Sequence, residues 1–212
     1  MRKVQMIIDR VQHMPGASNP ELDEQLNKVK EIYNKQQVTN NTIINYYDML
    51  SGETNKEIVD LGSLVRALQL KNGWQDTFAL HLDPLAAVEA NAAHMELLFE
   101  HIIANSIRFR HPERRLEIHI AEARNIKNPG LPSNDYYAIS ISDNGKGVEQ
   151  QYLTKIFGLF QKLEETGDLA QSGMGLSFGR RIMKNHDGFI SATLNSPHGL
   201  NIILFFPKRG KV

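Results

Sequence analysis

Five short strand-type segments lie between and beside helical stretches, and that order constrains the fold more than any other feature of the chain. FALHL (78–82), RLEIHIAEA (115–123) and YYAISIS (136–142) carry alternating apolar residues, and GFISATL (188–194) and LNIILFF (200–206) close the series. Alternation of period two places one face of a strand on a core. Helical periodicity runs from about Asn91 to Arg110 and from about Met174 to Asn185. A shorter amphipathic helix opens at Asp60-Leu61 and continues through Leu64, Val65, Leu68 and Leu70. Strands with helices between and beside them predict an α/β (α+β) sandwich over residues 57–212.

The N-terminal part reads differently. Val4, Ile7, Ile8 and Val11 repeat at helical spacing, and the stretch stops at Pro15-Gly16. A second helix restarts with Asn19 as N-cap, Pro20 in the first turn, and Glu21, Asp23 and Glu24 at the positive helix end. From there Leu22, Leu26, Val29, Tyr33, Gln36, Asn40, Ile43, Tyr47 and Leu50 follow alternating steps of four and three, a heptad seam ending near Ser51-Gly52. A lone helix packing on its own domain is one way to cover such a seam. An α-helical hairpin over residues 1–56 that pairs as a homodimer covers it better, with Gln36 and Asn40 weakening the seam and fixing register. Residues 53–59 read as a polar link.

Composition closes off several function classes. Lys+Arg and Asp+Glu both number 24, so no field of one sign recruits nucleic acid or anionic lipid. The chain has no cysteine, which excludes thiol catalysis and a disulfide framework and suits a reducing, cytoplasmic setting. No apolar run approaches the roughly 20 residues needed to span a bilayer, so direct membrane contact by this region is not expected. The opening MRKVQMIIDRVQHM carries Asp9, Arg10 and Gln12 where a signal peptide needs apolar residues.

Three motifs carry chemistry. In ELLFEHIIANSIRF (96–109), His101 and Asn105 stand four residues apart on one helix face. An Asn carboxamide oxygen is a hard neutral ligand for a magnesium ion that bridges phosphates, and Arg108, one turn on, can reach a phosphate. In AISISDNGKGV (138–148) a strand ends in Asp143 and a turn containing Gly145 and Gly147. This is either a tight hairpin turn or a carboxylate placed to accept the exocyclic amine of adenine, with glycines that let the backbone approach the base. In QSGMGLSFGRR (171–181), Gly173 and Gly175 open a helix whose free amides and dipole favour an anion.

In this order, and joined by IFGLFQKL (156–163), these segments resemble the boxes of the histidine-kinase-type ATP-binding domain. That domain is shared with gyrase, heat-shock-90 and mismatch-repair ATPases. HIIANSIRF is similar to the N box, SDNGKGV to the first glycine box, IFGLFQKL to the phenylalanine box and SGMGLSFG to the second glycine box. The resemblance covers about Asp60 to Lys208. It implies a mixed sheet covered by helices on one face, with ATP and Mg2+ as cofactors. It implies Asn105 as the magnesium ligand, Asp143 as the adenine partner and Asn105, Arg108 and Lys162 as catalytic groups. Nucleotide contacts are implied for His101, Asn105, Asp143, Gly145, Gly147, Ile156, Phe160, Ser172, Gly173, Met174, Gly175, Leu176 and Asn201. The chain departs from the family pattern in His101 for the first N-box Asn, Arg108 for Lys, Gln171 for Gly, and Asn201 for a Thr near the adenine.

The hairpin resembles the dimerisation and phosphotransfer region of sensor kinases related to phytochromes. RKVQMIIDRV is similar to the sequence that follows their phosphoacceptor box, and none of the eight histidines replaces the acceptor. A fragment of a longer protein is therefore expected. Two functions follow from the resemblance. One is ATP-dependent phosphorylation of a histidine outside this chain, relayed to an aspartate on a response-regulator receiver domain. The other is a non-catalytic dimeric module that binds nucleotide or a regulator. A gyrase-like hydrolase is disfavoured, because His101 stands where its catalytic Glu belongs.

Overall fold

The structure, a computed structural model, describes residues 6–7, 11, 20–51, 55–123, 135–158 and 175–208. Helix α1 spans Pro20–Ser51, its 32 residues giving a rod of about 48 Å. Its start at Pro20 agrees with the reading of a first-turn proline, which has its φ preset and no amide hydrogen to satisfy, while Asn19, read as the N-cap, lies outside the described residues. Of the seam, Leu26 and Tyr33 are half-buried, while Leu22 and Val29 keep 38% and 48% of their surface exposed. Met6, Ile7 and Val11 are helical, but most of the first helical stretch, and with it the proposed hairpin, lies outside the described residues. No described helix is long and apolar enough to cross a membrane.

Helix α1 up to Asp48 belongs to one compact unit, and the elements from β1 onward belong to another. In the second unit β1 (Glu57–Val59) pairs antiparallel with β3 (Val88–Ala90) as a small separate sheet. The stretch expected as a polar link therefore carries a strand. Three residues are too few for alternation to announce themselves, and Ile58, 71% exposed, gives no burial signal. Helix α2 (Leu61–Lys71) starts where Asp60 caps it: the carboxylate accepts from the Ser63 amide at 3.1 Å and the Ser63 hydroxyl at 2.7 Å. Helix α3 (Ala92–Arg108) is capped in the same way by Asn91, whose side-chain oxygen accepts from the His94 amide at 3.0 Å.

The main sheet has five strands in the order β2 (Ala79–Leu82), β4 (Glu117–Glu122), β5 (Tyr136–Asp143), β7 (Leu200–Pro207), β6 (Phe189–Leu194). β2 and β4 run parallel and every other neighbour is antiparallel, so the sheet is mixed, as expected. Ile118, Ile120, Ile139, Ile141, Ile202 and Leu204 share one face and are all but inaccessible. Leu98, Phe99, Ile102 and Ile103 of α3 and Phe178, Ile182 and Met183 of α4 (Gly175–Asn185) supply the helical side of that core. The opposite face is polar near β2 and β4, where Glu117 and His119 are exposed. Toward β6 it carries a small apolar cluster of Ala138, Ile203 and Phe205, with Phe189 stacked 4.0 Å from Phe205.

Where α4 ends, His186 is 1% exposed, and both ring nitrogens are used. Nδ1 donates to the Ile182 carbonyl at 2.7 Å, and Nε2 accepts from the Asn91 amide at 2.9 Å. That pairing needs the neutral ring and fixes one tautomer. It ties the end of α4 to the start of α3.

Candidate functional site

β5 lies between β4 and β7, not beside a strand that follows it directly. After Asp143 the chain instead enters two 3-10 turns, Gln150–Tyr152 and Lys155–Phe157. DNGKG is therefore not a hairpin turn. Asn144 anchors the start of β4: its oxygen accepts from the Glu117 amide at 3.0 Å and its nitrogen donates to the Arg115 carbonyl at 3.0 Å.

Asp143 is the centre of the arrangement. Its Oδ1 accepts from the amides of Gly145 at 2.9 Å and Leu200 at 3.2 Å. Its Oδ2 accepts from the Ser106 hydroxyl of α3 at 2.9 Å, and its main-chain oxygen accepts from Asn195 Nδ2 at 2.8 Å. Asp143 pairs in register with Ile118, so its side chain points to the helical face of the sheet. The carboxylate is half-buried there.

The glycines hold the backbone around it. A Cβ on Gly145 would come 2.8 Å from the Phe109 carbonyl oxygen at the end of α3, where the Lys146 amide also donates at 2.9 Å. Gly147 and Gly199 have φ of +72° and +103°, and a side chain on Gly199 would run into the Asp143 carbonyl.

On α3, His101, Asn105 and Arg108 are half-buried. Among the described residues the Asn105 carboxamide has no hydrogen-bond partner. A hard oxygen left free one residue before Ser106 is what a magnesium ligand in this position requires, so the donor fits the ion. His101 packs its ring on Phe178 of α4 at 5.5 Å, and burial pushes its pKa down, which keeps the imidazole neutral. The Arg108 guanidinium lies 4.8 Å from the Phe109 ring centroid.

The other expected residues divide. Ile156 is buried in the second 3-10 turn, Gly175 is the first residue of α4, and Leu176 follows it half-buried. Phe160, Lys162, Ser172, Gly173 and Met174 lie outside the described residues. Asn201 does not join the group around Asp143. It pairs in register with Ser142 on the other face of the sheet, where its oxygen accepts from Ser140 Oγ at 2.6 Å. Its neighbour Leu200 takes that place through its amide. Sequence reasoning also missed Ser106, Asn195 and Gly199. Only Gly199, in the turn SPHG just before a strand, carried a signal that could have exposed it.

A mixed sheet with helices on one face, and a carboxylate held under a glycine turn at the end of its central strand, define a class of ATPases. The chain belongs to the family of histidine kinase-, DNA gyrase B- and HSP90-like ATPases, which it matches over residues 90–210. It is 32% identical over 129 residues to cyanobacterial phytochrome A of Nostoc sp., covering 61% of this chain and 16% of that protein. It is 25% identical over 166 residues to the sensor protein kinase WalK of Staphylococcus aureus, covering 76% of this chain and 26% of that one. The chain thus spans a minor part of both relatives. Among solved structures, the mycobacterial sensor histidine kinase MprB aligns with a TM-score of 0.57 at 17% identity, covering 73% of this chain and 100% of that one. Full-length ShkA in complex with AMPPNP aligns with a TM-score of 0.63 at 14% identity, covering 89% and 39%. At such identities these two bear on the fold alone.

Proposed function

We propose that this chain is the ATP-binding portion of a sensor histidine kinase. The observation that carries the proposal is the state of Asp143. Two amides occupy Oδ1, while Oδ2 has one hydroxyl donor and room for another, so a half-buried carboxylate is poised to accept an exocyclic amine. Bound ATP with magnesium would supply the phosphoryl group for transfer. Asn105 offers its carboxamide oxygen to the ion. Arg108 and Lys162 would bring positive charge to the phosphates, and the start of α4 at Gly175 and Leu176 presents the amides of a helix N-terminus.

The domain division at 56/57, the homodimer through the N-terminal helices, relay to a receiver domain and a cytoplasmic setting belong to the same proposal. The likeness to phytochrome A and WalK supports it. One observation favours a second reading, a nucleotide-binding module without turnover: the imidazole of His101 is packed on Phe178. Titration with a fluorescent ATP analogue and magnesium tests what both readings share. Saturable binding is expected, and its absence overturns both; phosphorylation of a histidine separates them.

A further inference from the structure

We infer that the open face of the sheet carries a three-ligand site for a divalent late transition metal, zinc foremost, formed by His81, Glu117 and His119. The parallel register of β2 and β4 sets His81 directly beside His119. Residues 117 and 119 are two apart on one strand, so Glu117 shares the face of His119. The two imidazoles stack with centroids 4.1 Å apart and planes 11° from parallel, and Glu117 Oε2 lies 3.7 Å from His119 Nε2. One ligand atom from each of the three residues falls within 4.8 Å of the other two.

Ligands around a tetrahedral zinc, at about 2.0–2.1 Å from the ion, stand roughly 3.3 Å from one another. Exposed side chains close the remaining gap by small χ rotations, while the strands that carry them are held by the sheet's hydrogen bonds. Two imidazoles and one carboxylate suit zinc, nickel or copper far better than magnesium, which prefers oxygen. The site faces away from Asp143: His119 pairs with Ser142 on the open side of the sheet, whereas Asp143 pairs with the buried Ile118. Metal here is therefore independent of nucleotide. Among the described residues β2 is an edge strand with β4 as its one neighbour, so a bound ion would staple it to the sheet.

The experiment is a calorimetric titration of the tag-free chain with zinc chloride, in excess magnesium to occupy oxygen-only sites. One zinc per chain is expected, with a matching zinc-dependent rise in the urea midpoint. His81→Ala and His119→Ala should each weaken binding by about tenfold or more, and Glu117→Gln less, since losing a ligand costs at least what losing an outer-shell partner does. His198→Ala, at an exposed histidine elsewhere, should leave binding unchanged. All these positions are solvent-facing, and circular dichroism of each variant checks the fold. Equal zinc affinity in the His81→Ala/His119→Ala double variant, or no saturable binding by the parent chain, overturns the site.

Discussion

The Ser106 hydroxyl lies 2.9 Å from Asp143 Oδ2, joining the last turn of α3 to the end of the central strand. A carboxylate half out of water needs such donors. Ser106 is 6% exposed and has a single hydrogen; the Ile102 carbonyl, at 3.3 Å, is its weaker alternative. The hydroxyl therefore orients the carboxylate and leaves its remaining lone pairs toward the glycine turn.

Asp143→Asn should weaken ATP binding by roughly 1.5–3 kcal/mol, about tenfold to a hundredfold, because it removes a charge-assisted bond to the adenine amine. Ser106→Ala removes only the orienting donor and should cost about 0.5–1.5 kcal/mol. Fluorescent-nucleotide titrations of both variants check the order; a Ser106→Ala loss exceeding that of Asp143→Asn contradicts it.

Gly199→Ala should destabilise the fold by about 3 kcal/mol or more. A Cβ there meets the Asp143 carbonyl, and φ of +103° is foreign to an L residue. Urea unfolding measures it, and a loss below about 1 kcal/mol means the turn has room that this geometry denies.

The elements that could be read from sequence are those with a long period or a capping residue. Helical periodicity opening at Asp60-Leu61 and at about Asn91 announced α2 and α3, and the alternation in 136–142 announced β5. What escaped was decided by contacts distant in sequence. Ser106 reads as an ordinary helix serine until β5 brings Asp143 against it. Asn201 resembles a residue near the adenine by position, but strand parity sends its side chain to the face opposite Asp143, and it is the Leu200 amide that donates to the Asp143 carboxylate. The pairing of β1 with β3 has no local signal at all.

Stability should fall as pH drops below about 6.5. Burial lowers the pKa of His94, His101 and His186 from the ordinary 6.5. In this window the unfolded chain binds protons that the folded chain refuses, so the free energy of unfolding rises with pH up to the unfolded value and levels off above it. His186 gives the largest structural reason, since a protonated ring cannot accept from the Asn91 amide. Urea midpoints at pH 7.5 and pH 5 check the sign, and equal midpoints contradict it.

Asn105→Ala should lower nucleotide affinity with magnesium present and change it little in EDTA. The side chain is half-buried and its carboxamide is free of described partners, so the fold does not depend on it. Parallel titrations with and without the ion decide; equal weakening in both points to a packing role.

The kinase reading requires an acceptor histidine, and the described histidines of the sheet and its helices do not present one to the site around Asp143. His186 is buried with both nitrogens engaged, His101 packs on Phe178, and His81 and His119 stack on the open face of the sheet, away from Asp143. The 212 residues alone should therefore bind ATP and incorporate no label. A longer polypeptide in which a helical segment with a histidine one to two turns before Arg2 is joined to this chain should acquire acid-labile, base-stable label from ATP labelled on its γ-phosphate. Replacing that histidine by Gln should abolish the label and leave nucleotide binding intact. If the longer form binds nucleotide and stays unlabelled, the module without turnover is the better reading. His101→Asn, which restores the family's usual residue, then tests whether the imidazole packed on Phe178 is what withholds transfer.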